Sequence, residues 1–268
     1  MGYKEVVLSQ DGGVAILKLN RPSRLNALSA GLLDEIGDAI DVVLKDEAVH
    51  CVVITGEGRG FCAGADLAGG GPAGTAPVPE LPRSTRLEPF ARFGRMVMQL
   101  RNTTKPTIAA VNGLAVGAGL SLSLLCDIRI AAADARFSAI FVKRGLVADT
   151  GCTYLLPRTV GVAKALEMMY TGDMVGAEEA LRVGLVSQVV PPDKLLPTAL
   201  ELARRIASGP SVSIELMKRM VYQGLEADNF VASFAFEGFA QNVAHTTEDA
   251  KEGVKSFLEK REPNFKGK

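Results

Sequence analysis

Apolar and polar positions change period several times along the 268 residues, and each change predicts an element. Two short β-prone runs, 5–9 and Val14–Leu19, flank Asp11, Gly12 and Gly13, a pattern that predicts a hairpin. After a loop holding Arg21, Pro22, Ser23 and Arg24, Ser29 can cap a helix whose Leu32, Leu33, Ile36, Ile40 and Val43 keep helical spacing. A continuous apolar run at 51–55 predicts a buried strand. The same order returns at Thr107–Val111, which leads through Asn112 and Gly113 into a second apolar helix.

Between these two crossings, residues 68–82 are crowded with Gly and Pro, which predicts a mobile surface loop, and 83–101 carry Phe90, Phe93, Val97 and Leu100 at helical core spacing. Strands are expected at 127–131 and 137–141, then a loop through 145–153 and a helix near 162–170. A short helix at 177–183 closes on Gly184, and a strand at 186–190 closes on Pro191 and Pro192. From 193 the periodicity is helical throughout, over 193–208, 211–223, 229–245 and 248–260, which suggests a division into a core at 1–192 and a helical region at 193–268. Phe230, Phe234, Phe236 and Phe239 give that region an apolar surface suited to subunit contact.

A chain of this length with 47% hydrophobic residues can bury a sizeable core. Its 30 basic and 30 acidic residues balance, so composition offers no footprint for nucleic acid or a membrane surface, and a small molecule or another subunit is the expected partner. The first residues lack the regions of a signal peptide and no apolar run reaches about 18 residues, so the cytoplasm is the default expectation. Cys51, Cys62, Cys126 and Cys152 lack zinc-like spacing and suit reduced thiols in apolar surroundings; no metal site is expected.

Candidate chemistry narrows by what is missing. His50 and His245 have no Ser, Cys or carboxylate arrangement suggestive of a triad, and the Gly-Ser elbow, the phosphate-loop Gly-Lys pattern and the zinc-protease helix motif are absent. What remains is Phe-Cys-Ala-Gly-Ala-Asp-Leu at 61–67 and Asn-Gly-Leu-Ala-Val-Gly-Ala-Gly-Leu at 112–120, each expected to leave a strand and enter a helix. Small residues let backbone approach a ligand, and unpaired N–H groups at helix starts can hold an oxygen that is gaining charge. The glycines equally suit tight helix–sheet packing.

Residues 61–67, Lys-Pro-Thr-Ile-Ala-Ala-Val-Asn-Gly at 105–113, Cys-Asp-Ile at 126–128 and Thr-Gly-Asp at 171–173 resemble the crotonase, or enoyl-CoA hydratase/isomerase, superfamily over residues 14–268. The resemblance implies an α/β fold, a spiral of ββα repeats with a helical C-terminal region that forms a homotrimer or a dimer of trimers. It implies an acyl-CoA substrate with no separate cofactor, coenzyme A entering as part of the thioester. Two peptide N–H groups polarise the thioester carbonyl in that family; on matching positions these are Ala63 and Ala118, the second usually a glycine. By the same resemblance Arg24, Leu25 and Ala27 line the CoA entrance, and Ala65, Asp66 and Leu67 surround pantetheine and adenine. Arg24 suits a phosphate, although an ordinary solvated loop charge fits it too.

Hydratases of the family carry two water-handling glutamates. Ser121 and Phe141 occupy those positions, and neither is a carboxylate base; Phe141 adds apolar bulk in the acyl pocket. The carboxylate that remains nearby is Asp149, among apolar neighbours whose burial would favour its protonated form. Its place resembles that of the acid in isomerase branches acting on enoyl-CoA double bonds or on an epoxide/oxepin thioester, which implies a proton shuttle through an enolate. Three other readings stay open: Asp149 as base or nucleophile of a hydratase, hydrolase or dehalogenase; a non-catalytic acyl-CoA binder; and Asp149 as a plain helix cap.

Overall fold

The computed structural model describes residues 2–67, 93–227 and 229–268. The loop expected at 68–82 and the first half of the helix expected at 83–101 lie outside them. The chain opens with the expected hairpin, β1 (Val6–Asp11) antiparallel to β2 (Val14–Leu19), and Ser29 caps α1 (Ala30–Lys45) by accepting from the Leu32 amide at 3.0 Å.

Beyond α1, strands come in pairs that separate into two sheets. The first of each pair, β3 (Cys51–Gly56), β5 (Thr107–Val111) and β7 (Ile128–Ala132), joins a six-stranded sheet ordered β1-β2-β3-β5-β7-β10. The second, β4 (Gly60–Cys62), β6 (Leu114–Val116) and β8 (Arg136–Ser138), joins a four-stranded sheet ordered β4-β6-β8-β9. Helices α2 (Gly94–Asn102), α3 (Ala118–Leu124) and α4 (Cys152–Val160) follow successive pairs. This is the expected ββα spiral. It continues through α5 (Val162–Thr171), β9 (Val175–Gly176), α6 (Ala177–Arg182) and β10 (Gln188–Val190).

Side-chain alternation divides the core. Leu17, Val52, Ile54 and Ala109 face a large cluster with α1 and α3, while Val14, Cys51, Val53 and Ile108 face the other side. That second side is covered by Leu195, Ala199 and Ala203 of α7 (Leu195–Ala207). The helical region thus begins where its periodicity does, yet its first helix completes the core of the sheet, so one core crosses position 192. Helices α8 (Ser211–Glu226), α9 (Phe230–His245) and α10 (Glu248–Glu259) follow, and Phe230, Phe234 and Phe239 of α9 are exposed. Among the described residues no helix is long and apolar enough to cross a membrane.

Two local expectations are corrected. The strand expected at 137–141 ends at Ser138, because β8 has only three rungs of pairing with β6, and residues 140–144 turn into a 3-10 helix stopped by left-handed Gly145. The loop expected to reach 153 gives way to α4 already at Cys152; Pro157 inside that helix obscured it.

Asn26 fixes the loop that crosses from β2 to α1. It is fully buried and left-handed, its Oδ1 accepts from the Arg21 amide at 2.8 Å, and its Nδ2 donates to the carbonyls of Gly60 at 2.7 Å and Glu57 at 3.0 Å. Asn26→Ala takes a partner from the Arg21 amide and from the carbonyls of Glu57 and Gly60, leaving Gly60 only the longer bond from Asn112 Nδ2 at 3.3 Å, and should lower unfolding free energy by about 2–3 kcal/mol, read as a shifted urea midpoint at unchanged slope.

Candidate active site

The site is built where the short strands of the small sheet end. Past β4 the chain pairs with the loop before α1: the Leu28 amide donates to the Gly64 carbonyl at 2.7 Å, and the Asp66 amide to the Leu28 carbonyl at 3.1 Å. The Ala65 amide, between these two rungs, has no partner among the described residues and belongs to a cavity wall. Past β6, Gly117 precedes α3 without a side-chain cap, so the Ala118 amide, first in the helix, is also unpaired among the described residues. Both alanines line one cavity.

This overturns Ala63 as a donor. Its amide is consumed by the Leu25 carbonyl at 3.0 Å. Gly64, at φ +90°, breaks the extended run, so the Ala63 N–H faces the 25–28 loop while that of Ala65 turns away from it. A Cβ on Gly64 would stand 2.8 Å from the Val116 carbonyl and 3.6 Å from the Ala118 nitrogen, which shows how closely the two loops approach. The packing role weighed for the glycines is also present. A Cβ on Gly119 would lie 2.0 Å from the Cys62 carbonyl, so α3 presses directly on the end of β4. No helix begins within 61–67.

Ala63, Ala65, Leu67, Ala118, Phe141 and Asp149 come together around the cavity. Arg24, Leu25, Ala27 and Asp66 do not line it. Arg24 is exposed at the end of a 3-10 turn, and Leu25 and Ala27 act through their carbonyls, Leu25 holding Ala63 and Ala27 accepting from Arg21. Asp66 is buried and pairs with Arg21 at 2.8 Å, while Arg21 Nε also meets Glu5 at 3.0 Å. The structural arginine of this loop is therefore Arg21. Nothing in the pattern of the sequence separates it from Arg24 three residues on.

Asp149 is exposed rather than buried, since its neighbours Leu146 and Val147 are themselves exposed. It is no helix cap either: Gly151 occupies that place and α4 has no side-chain cap. Thr150 and Gly151 are both left-handed, at φ 56° and 83°, and this pair carries the chain from Asp149 into α4. The Thr150 hydroxyl donates to Asp149 Oδ1 at 2.7 Å, fixing the carboxylate from one side. Thr150, Arg144, Ile140 and Met174 are site residues that the sequence reading missed; Ile140 and Arg144, in the 3-10 helix after β8, and Met174, just before β9, line the cavity wall on that side. Phe141 packs there, only 8% exposed, and Ser121 is fully buried. Asp149 and Arg144 are the charged side chains of the described lining. Among the described residues no three His, Cys, Asp or Glu side chains cluster as a metal ion would require.

Two unpaired amides lining one cavity, with a carboxylate on the same cavity, can hold a carbonyl oxygen while a proton moves beside it. Comparisons with known proteins point to one family. A family model described as enoyl-CoA hydratase/isomerase matches residues 9–268. The chain is 38% identical to a crotonyl-CoA hydratase of Syntrophomonas wolfei, over 99% of each protein. It is 39% identical to a 1,2-epoxyphenylacetyl-CoA isomerase of Escherichia coli, over 98% of this chain and 99% of that one. The crystal structure of an enoyl-CoA hydratase subunit I from Geobacillus kaustophilus superposes with a TM-score of 0.90 at 35% identity, covering 99% of each chain.

All four cysteines are buried, as their apolar surroundings predicted. Loss of water pushes the thiols of Cys51, Cys62 and Cys126 up to about 12 and that of Cys152 up to about 11. A raised pKa keeps the thiol protonated below it. Iodoacetamide at pH 8 should therefore leave all four unmodified in the folded protein and alkylate all four in urea, as intact-mass spectrometry would register.

Proposed function

The chain belongs to the enoyl-CoA hydratase/isomerase family, and on that premise we propose that it is an acyl-CoA isomerase that moves a double bond, or rearranges an epoxide or oxepin thioester, with Asp149 carrying the proton. The observation that carries this reading is the single carboxylate of the described cavity lining, set on the same cavity as two unpaired amides. The thioester oxygen sits between the N–H groups of Ala65 and Ala118. Asp149 removes a proton from the carbon alpha to the carbonyl, the two amides hold the enolate oxygen, and the protonated acid returns the proton at the gamma carbon. No water enters the sequence of bonds. Phe141 packs apolar bulk into the acyl wall, which favours that course.

Coenzyme A, as part of the substrate, lies toward the 63–67 wall, and the acyl chain runs past Ala118 toward residues 140–146. This order follows the small sheet, in which β4, β6 and β8 stand side by side. Likeness to a crotonyl-CoA hydratase supports a second reading, in which Asp149 activates water for addition. Turnover in oxygen-18 water separates the two, since only hydration puts solvent oxygen into product. We also propose assembly as a homotrimer, supported by the exposed Phe230, Phe234 and Phe239 on α9, whose apolar area is large for a surface facing water.

Asp149→Asn should cut isomerisation of a 3-enoyl-CoA by about 10²–10⁴-fold while thioester binding, measured by calorimetry, stays at the wild-type level. Full turnover in that variant would defeat the assignment. Ala118→Pro removes one donor at the first helical position, where proline fits the backbone, and should lower kcat by about 10²–10³-fold with the melting temperature little changed.

A further inference from the structure

Ser121 is fully buried, one helical turn into α3, and has no role in the proton transfer described above. A serine inside a helix ordinarily turns its hydroxyl back to the carbonyl four residues earlier. Here that contact, to the Gly117 carbonyl, is 3.4 Å, and the Ser121 hydroxyl lies closer, at 3.2 Å, to the main-chain carbonyl of Asp149. The same carbonyl accepts the Cys152 amide at 2.9 Å. The Cys152 thiol also meets the Ser121 hydroxyl, so the serine sits at a small buried junction under the turn.

From this geometry we infer that Ser121 is a positioning residue that ties the main chain of Asp149 to the first turn of α3. The inference rests on Asp149 as proton carrier. Gly117 and Ala118 begin α3 and supply one oxyanion donor, so the tie fixes the distance between that donor and the carboxylate. Few other contacts can do so. Residues 142–147 are exposed, Thr150 and Gly151 are left-handed, and the bond from Thr150 orients the carboxylate only relative to its own neighbour. Without the serine hydroxyl, the Asp149 carbonyl keeps only the Cys152 amide as a partner among the described residues. An alanine leaves the part-buried Asp149 carbonyl with one partner in place of two among the described residues, and the turn gains freedom to swing.

The test uses the full-length protein with Ser121→Ala, Ser121→Thr and Asp149→Asn. In Ser121→Ala, hydrogen exchange of the peptide covering 149–153 should accelerate, and kcat for 3-enoyl-CoA isomerisation should fall on the order of ten-fold with KM and melting temperature unchanged. Ser121→Thr, which keeps the hydroxyl, should recover most of kcat. A purely structural role would instead lower the melting temperature and spread faster exchange through α3. Wild-type exchange at 149–153, or wild-type kcat, in Ser121→Ala overturns the inference. Full turnover in Asp149→Asn would instead remove the proton carrier, and the exchange measurement then decides by itself whether the tie exists.

Discussion

The two bonds between Leu28 and the 64–66 segment are short, local and made only of backbone, yet the direction of the Ala65 amide, the first proposed donor, depends on them. Pairing through Gly64 and Asp66 leaves Ala65 between them with its N–H facing the other way. Were the register shifted by one residue, Ala65 would spend its amide on the loop and Ala63 or Gly64 would face the cavity. Several groups hold the register. Gly64 adopts a conformation that other residues avoid, Asn26 clamps the loop to Gly60 at the end of β4, and Arg21 pins Asp66 in a mostly buried ion pair. A buried pair of this kind is more a device for fixing geometry than a large source of stability.

The second donor needs less support, because a helix start leaves its first amide unpaired by construction. What α3 requires is placement, supplied by the absence of a side chain at Gly119, which lets the helix rest on the Cys62 carbonyl. One donor thus depends on a loop pairing and the other on close packing, and both are anchored to the end of β4. The proposed proton carrier belongs to neither arrangement. Asp149 comes from a turn after β8, exposed and joined to the rest of the site mainly through main-chain bonds.

Sequence pattern was most informative where periodicity meets burial. The hairpin, α1 with its Ser29 cap, the strand Thr107–Val111 and the helices after β10 follow directly from the spacing of apolar residues, because each buries one face. The short strands of the small sheet were harder to see: three residues are too few to show a period. Within the site, the Gly-rich segments were legible as places of close backbone approach. Which amide faced the cavity was not, since that depends on the φ of Gly64 and on a partner, Leu25, nearly forty residues earlier. The burial expected for Asp149 failed for a related reason: apolar neighbours in sequence bury a residue only when they themselves turn inward, and Leu146 and Val147 do not.

The division of the strands between two sheets has a consequence for how such a molecule can change. The six-stranded sheet, covered on both faces, holds most of the apolar core, whereas the described cavity lining, apart from Phe93 just before α2 and Ala118 at the start of α3, comes from the ends of the small sheet's strands or from the loops beside them. Residues 142–146 and Met174, on the β8 and β9 side, take no part in the pairing that orients Ala65 or in the contact of Gly119 with Cys62, whereas Ile140 and Phe141 pack beside Gly117, just ahead of Ala118. In the proposed function, the wall that meets the acyl group is thus largely separate from the loop pairing that orients the amide holding the oxygen at Ala65.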